Sequence, residues 1–447
     1  MMRRRRIYRI DNMSKAKKKY FVLEFETGLT KKDRDICEKK LRIGRSIYNA
    51  CLGEALKRLR KCHNDPNYKK FAKNYKESKS ILISLKDELE NLKNNSEENK
   101  IRVNEINNSI LKIKDILDQD SNALNILTNQ YQCSGKYSLY DFRKKQSAHF
   151  KGSIGAQIAS KLSERAFLTA KKIIENKNER VRYVQKDDDF TIVGAGNHDS
   201  IYLKNGRLYF DKKTVLEIKP SRKNDEEYYE EAMQNRIKYC QLSSRTIRGK
   251  KRYFLQVIFE GTPPIHRYYG DETIDLLDVK ISHLEIYING SKRSFELAPG
   301  CKEQEEKISK INQMMDASRR ATNPDNYNED GTIKKGTKGN WVKSKNYCKL
   351  SARKKELFRS IRERRKVSHE ELSNAILNLG TDIYVKKLSY KEQQMRKKKD
   401  EIDPLTGIPK SKARQGKAIR NRAPGTFVAI LERKLSYIDK KLNYILP

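Results

Sequence analysis

The chain has 447 residues and carries 98 Lys and Arg against 58 Asp and Glu, a formal net charge of +40. Its hydrophobic fraction of 36% allows packed cores, and its length calls for about two to four domains. The charge argues against most small-molecule enzymes and for a polyanionic partner, nucleic acid first, because each phosphate contact releases counterions.

No run of about 18 apolar residues is present, so no transmembrane helix and no membrane partner are expected. Met1-Met2-Arg3-Arg4-Arg5-Arg6 resembles a signal-peptide start, but Ile7-Tyr8-Arg9-Ile10 brings no apolar core after it. The first residues read as a basic arm, with Met13 as a second plausible start. Seven cysteines, an odd number with no C-x-x-C pair, fit a reducing cytoplasm better than a disulfide framework or a Cys₄ zinc site. His149, His283 and His369 are scattered and read as ordinary helix, strand or surface residues.

In chain order, Tyr20–Phe25 reads as a strand, and Thr30 ahead of Asp33 as a helix N-cap. Leu41, Ile47, Tyr48, Cys51 and Leu52 continue at helical spacing. From about 75 to 120, a Leu82/Leu85/Leu89/Leu92 stripe and an Ile106/Ile110/Ile113/Leu117 stripe predict a helical hairpin turning at 94–97. A further helix carries Ala166, Phe167, Ala170, Ile173 and Ile174 and ends near Glu179. The period then becomes that of short strands: 190–193, 201–203, 207–210 with an Asn205-Gly206 turn, 215–218, 237–242 and 252–259, with 248–251 as a basic turn. These predict a small OB-like β-barrel that takes in the first strand, leaving the helical block as an insertion. After Pro263-Pro264, strands at 273–279, 284–288 and 294–297, long basic helices and a strand at 381–385 follow the order of an RNase H-like α/β domain.

Several blocks resemble the TnpB/OrfB proteins of insertion sequences, relatives of the type V CRISPR effectors. They are Ser46–Ala55, Ile154–Ala159 with Arg165-Ala166-Phe167, Ile247–Lys250, Ser318–Pro324 with Tyr327–Gly336, Arg365–His369 and Ala423–Phe427. The resemblance spans about 20–440 and implies a multidomain α+β chain: an OB-like wedge β-barrel with an inserted helical recognition lobe, followed by an RNase H-like RuvC domain. The boundaries are a basic arm at 1–19, the first wedge strand at 20–26, the recognition lobe at 27–180, the wedge barrel at 181–265 and the RuvC-like domain at 266–447.

The departures from that family bear on activity. RuvC nucleases hold two metal ions on three or more carboxylates. The resemblance places the first carboxylate at Asp278, or at Asp275 in an alternative register, without the flanking glycines. These two, three apart, are expected on opposite strand faces. The second position holds Lys386 in place of Glu, and the chain as given ends before a third Asp or a zinc ribbon. The domain is therefore read as degenerate, without nuclease activity, metal or cofactor, and Lys386 is expected close to Asp278, neutralising it. Basic runs remain. Arg319, Arg320, Arg362, Arg364, Arg365, Lys366, Lys397, Lys398, Arg414 and Arg420 are the residues expected on nucleic acid, with Trp341 as a possible base platform. The resemblance implies a nuclease-dead TnpB-like repressor, bacterial, cytoplasmic and nucleoid-associated, whose partners are a guide RNA and double-stranded target DNA. An active endonuclease with non-standard metal ligands, a decayed transposon remnant and a guide-independent RNA-binding scaffold are the alternatives.

Overall fold

The computed structural model describes residues 19–27, 29–92, 97–150, 152–175, 181–186, 188–198, 200–210, 214–216, 226–264, 269–334, 336, 341–386, 390 and 416–445. They form two compact units. One comprises residues 20–246 and 251–260, and the other is built mainly on 261–447 with the turn at 247–250.

The first unit opens with strand β1 (Tyr20–Glu26) and helix α1 (Lys31–Asn64). Thr30 and Asp33 close a reciprocal capping box at the start of α1, which satisfies two backbone donors that the first turn leaves open. Helices α2 (Pro66–Asn91) and α3 (Glu97–Gln130) form the expected hairpin. It starts earlier than the leucine stripe suggests, because Asp65 caps the helix and Pro66 occupies its first position. Helices α4 (Tyr140–Ala148) and α5 (Ala156–Glu175) follow. The α1 stripe Leu41, Ile47, Cys51, Leu52 and Ala55 is buried, as are Ile158, Leu162, Ala166 and Ala170 of α5, where the two helices pack.

Strands β2 (Phe190–Val193), β3 (Ile201–Lys204), β4 (Arg207–Phe210) and β5 (Thr214–Leu216) come next, then helix α6 (Glu226–Met233) and the long strands β6 (Ile237–Ile247) and β7 (Lys250–Glu260). Asn205-Gly206 turns with both φ positive, 49° and 69°, as a two-residue hairpin demands. The basic turn expected at 248–251 is tighter: only Arg248-Gly249 separates β6 from β7. The described strands form two antiparallel sheets, β1-β7-β6-β2 and β3-β4-β5, and no described pairing closes them into one ring. β1 pairs with β7 from Tyr20↔Glu260 to Glu26↔Phe254, so the helices are indeed inserted between strands of one sheet. Helices and sheets nonetheless belong to a single compact unit.

The second unit holds β8 (Thr273–Val279), β9 (His283–Ile288), β10 (Ser291–Glu296), α7 (Cys301–Thr322), α8 (Lys345–Leu379), β11 (Asp382–Lys386), α9 (Gly416–Arg422), α10 (Pro424–Tyr437) and β12 (Asn443–Ile445). The sheet runs β10-β9-β8-β11-β12. The first three strands are antiparallel, β11 is parallel to β8, and β12 is parallel to β11. One face is apolar: Ile274, Leu277, Val279, Leu284, Ile286, Ile383 and Val385 pack with Ile376 and Leu377 of α8 and Phe427, Leu431 and Leu435 of α10. His369 is fully buried beside Phe427, a core position rather than a surface one. Lys434 is buried as well, but its ammonium donates to the Glu370 carbonyl at 2.8 Å and Ser373 Oγ at 2.7 Å and pairs with the Glu370 carboxylate at 2.9 Å. A buried cation needs such partners, and these tie α10 to α8.

The passage from α8 into β11 depends on Gly380. A β-carbon there would lie 1.7 Å from the Glu272 carbonyl oxygen, a clash with backbone that no rotamer relieves. Gly380→Ala should lower stability by about 1–3 kcal/mol or more, read from the urea midpoint. An unchanged midpoint would contradict this backbone approach.

Candidate functional site

The second face of the five-stranded sheet carries its charge. Strand alternation sends Leu277 and Val279 into the core and Asp278 to the opposite side. Asp278 is the direct cross-strand partner of Glu285. On β11, Val385 pairs with Leu277, so the next rung sets Lys386 beside Asp278 on the neighbouring strand. The two positions come together, but the expected ion pair does not form: Lys386 is exposed, and among the described residues no carboxylate lies within 4.0 Å of its ammonium. An exposed pair offers a strongly hydrated ammonium little gain.

Glu285, by contrast, is crowded with cations. Its carboxylate pairs with Lys280 at 2.8 Å and Lys292 at 3.0 Å, lies 3.5 Å from His283 Nε2, and accepts the Tyr287 hydroxyl at 3.2 Å. The hydrogen bonds from Lys280 and then Lys292 pull its carboxyl down to about 2. Tyr390 donates to the Val279 carbonyl at 2.8 Å; burial, and then the Asp278 charge, push its phenol up to about 12. The sequence reading did not single out Glu285 or Lys292, and noted Lys280 only as the residue in place of a family glycine. The available signal was a lone acid between Leu284 and Ile286, at the strand position that faces away from the core.

Asp275 has a structural task. Its Oδ2 accepts the Asn289 backbone N–H at 3.0 Å, bracing the turn between β9 and β10. Unbroken alternation would put Asp275 and Asp278 on opposite strand faces. An irregularity in the pairing with β11 interrupts it, so Ile274 and Leu277, also three apart, both enter the core. A pair of divalent ions needs several free carboxylates converging on it. Here the strand position beside Asp278 is a lysine, and the oxygens of Glu285 are taken by two lysines. The residues of this face do not fit a metal pair, and no group of three or more His, Cys, Asp or Glu among the described residues could share an ion.

Among the described residues, the basic side chains divide into those engaged in the fold and those exposed on it. Arg365 donates to the carbonyls of Arg420 at 2.8 Å and Asn421 at 3.0 Å. It therefore caps the C-terminal end of α9, where a cation is favoured. Arg319 pairs with Asp316 at 2.9 Å and lies over the Trp341 ring at 5.2 Å. Arg320 lies over Tyr327 at 5.4 Å, and Tyr327 meets Trp341 edge to face at 5.8 Å. Asn323 closes this segment by exchanging hydrogen bonds with the Val342 backbone at 2.9 and 2.8 Å. The described residues after α7, together with Trp341 and Val342, thus brace one another, and Trp341 already has a cation on its ring. Arg362, Arg364 and Lys366 are exposed along α8, and Arg362 lies 3.8 Å from its neighbour Glu363. Arg420 is exposed, its guanidinium 5.6 Å from the Phe358 centroid. Lys397, Lys398 and Arg414 lie outside the described residues. No helix among the described residues is long and apolar enough to cross a membrane.

No protein-family model matches the sequence, and no curated protein matches it. Among solved structures, the chain is similar to a chain of the cryo-EM structure of the Cas12f1–sgRNA–target DNA complex, at 11% identity and a TM-score of 0.37, covering 96% of this chain and 89% of that one. It is also similar to a chain of the cryo-EM structure of the CRISPR–Cas12f ternary complex, at 14% identity and a TM-score of 0.21, covering 94% of this chain and 76% of that one.

Two tests follow from this geometry. A carboxyl with a lowered folded pKa stabilises the fold above its unfolded value, and that contribution is lost as the pH falls through the folded one. For Glu285 the window runs from its ordinary 4.5 down to about 2. Glu285→Gln should flatten the acid limb of the urea midpoint across that window; an unaltered limb would show that the lysines do not hold the carboxylate. For nucleic acid, replacing Arg362, Arg364 and Lys366 by Ala together, with Arg365 kept, should reduce the logarithmic salt slope of binding by about 0.7–0.9 per lost phosphate contact. An unchanged slope would place this run away from the bound polyanion.

Proposed function

We propose that this chain is an RNA-guided DNA-binding protein that occupies its target without cutting it, and represses transcription where the target lies in a promoter. The observation that carries the proposal is the sheet face on which Lys386 stands beside Asp278 while Lys280 and Lys292 hold Glu285. The sheet has the strand order of an RNase H-like domain, antiparallel through the first three strands with the fourth parallel to the first. In RuvC-type domains of that order, the first and fourth strands present the metal-binding carboxylates side by side. At those places this chain has one carboxylate and one ammonium, and an ammonium a few ångströms from a divalent cation repels it.

What remains suits binding. The +40 charge and the exposed cations of α8 favour phosphate backbones. Protein-read motifs and guide pairing would then divide recognition as in other RNA-guided effectors, with guide RNA and duplex DNA as the partners.

The test uses the full chain with the RNA that copurifies with it, on duplex DNA matched to that RNA, in Mg²⁺. The expected result is a protected site with both strands intact, and protection lost when the guide is scrambled. Strand cleavage would overturn the non-cutting part, and protection that persists with a scrambled guide would overturn the RNA-guided part.

A further inference from the structure

A pocket in the first unit, remote in sequence from the sheet face, has its own chemistry. Lys39, Arg42, Ile43 and Ser46 stand on one face of α1 at helical spacing. His149, Phe150 and Ser153, from the connection between α4 and α5, lie opposite them. Together they line a cavity of ≈330 Å³, within the range of small-ligand sites. Ile43 is buried and forms an apolar floor; Phe150 is half-buried beside it. Lys40 donates to the Ser153 carbonyl at 3.2 Å and pins this connection against α1.

The cations around the pocket are used unequally. Arg34 donates to the Leu29 carbonyl at 3.3 Å, Lys40 is spent on Ser153, and Arg45 on Glu38 at 3.1 Å. Lys39 and Arg42 are exposed and make no hydrogen bond or ion pair among the described residues. Phe150 likewise has no ring or cation partner there, and no carboxylate lines the cavity. Two unpaired cations over an apolar floor, beside an aromatic ring, exceed what a simple anion requires. They match a phosphate joined to a flat, stackable ring.

Resting on the nucleic-acid reading above, we propose that this pocket takes one unstacked nucleotide of a single strand. Its base stacks on Phe150 over Ile43, and its phosphate meets Lys39 and Arg42. Ser46, His149 and Ser153 supply hydrogen-bonding groups to the base edge and sugar. A cavity of this size admits one base with its sugar and not a base pair, and only an unpaired strand frees a base face for stacking.

The test irradiates the full-length protein with a short single strand carrying one 5-iodouracil, in a ribose arm and a deoxyribose arm, beside a fully paired duplex with the same label. The expected photoadduct maps to the segment containing Phe150, in whichever single-strand arm matches the natural source, and not from the duplex. Phe150→Ala should remove it and weaken single-strand binding by about 5- to 150-fold, and Phe150→Trp should restore both. Lys39→Ala with Arg42→Ala removes one phosphate contact and should lower the salt slope by about 0.7; these exposed positions keep the test decisive if Phe150→Ala does not fold. Adducts that map only elsewhere, or an unchanged single-strand affinity in folded Phe150→Ala, overturn the proposal. Guide-directed duplex protection, scored separately in the same variants, distinguishes that failure from failure of the broader function.

Discussion

With 98 cationic side chains and 58 carboxylates, the fold cannot neutralise itself, and the disposition of this surplus governs much of the structure. Where a carboxylate is available inside a unit, several cations converge on it. Glu38 gathers Arg45, Lys251 and the Tyr253 hydroxyl, and Glu285 gathers Lys280 and Lys292. Other cations turn to carbonyls and rings, as Arg365 does at the end of α9 and Arg320 does at Tyr327. Those with neither remain exposed, and a chain with so many exposed cations is a polyelectrolyte whose natural counterpart is a phosphate backbone.

The same surplus shapes the sheet face. An acidic site for metal ions must keep carboxylates close together and uncompensated until the ions arrive. In this sheet Glu285 is held by Lys280 and Lys292, and the position beside its cross-strand partner Asp278 on β11 is a lysine. The apolar face of the same strands is intact, with Leu277, Val279, Leu284 and Ile286 wholly buried. One side of the sheet is therefore a packed apolar core, while the other carries lysines against its acids.

Much of this fold was readable from local pattern. The capping box at Thr30 and Asp33, the helical stripes of α1, α2 and α3, and the three strands around Asn289-Gly290 depend on neighbours a few residues away, so spacing and turn chemistry announce them. Other features depend on distant parts of the chain. β12 has only three residues and exists through its pairing with β11. The irregularity in β8 that brings Ile274 and Leu277 into one core needs the register of β11. The site was legible only in part for the same reason. Asp278 and Lys386 could be brought together through the family resemblance, but the tying of Asp275 to the Asn289 turn, and of Arg365 to α9, are contacts across 14 and 55 residues. Composition marks such side chains as charged and cannot say which are already engaged.

We propose that the charged face of the five-stranded sheet, with Lys386 beside Asp278 and two lysines on Glu285, does not hold divalent cations. The most direct measurement is a titration of the full-length protein with Mn²⁺, read by electron paramagnetic resonance, beside Asp278→Asn. The account predicts no stoichiometric Mn²⁺ site that depends on Asp278, so the two titrations coincide. One or two tightly bound ions, present in the native chain and lost in Asp278→Asn, would contradict it.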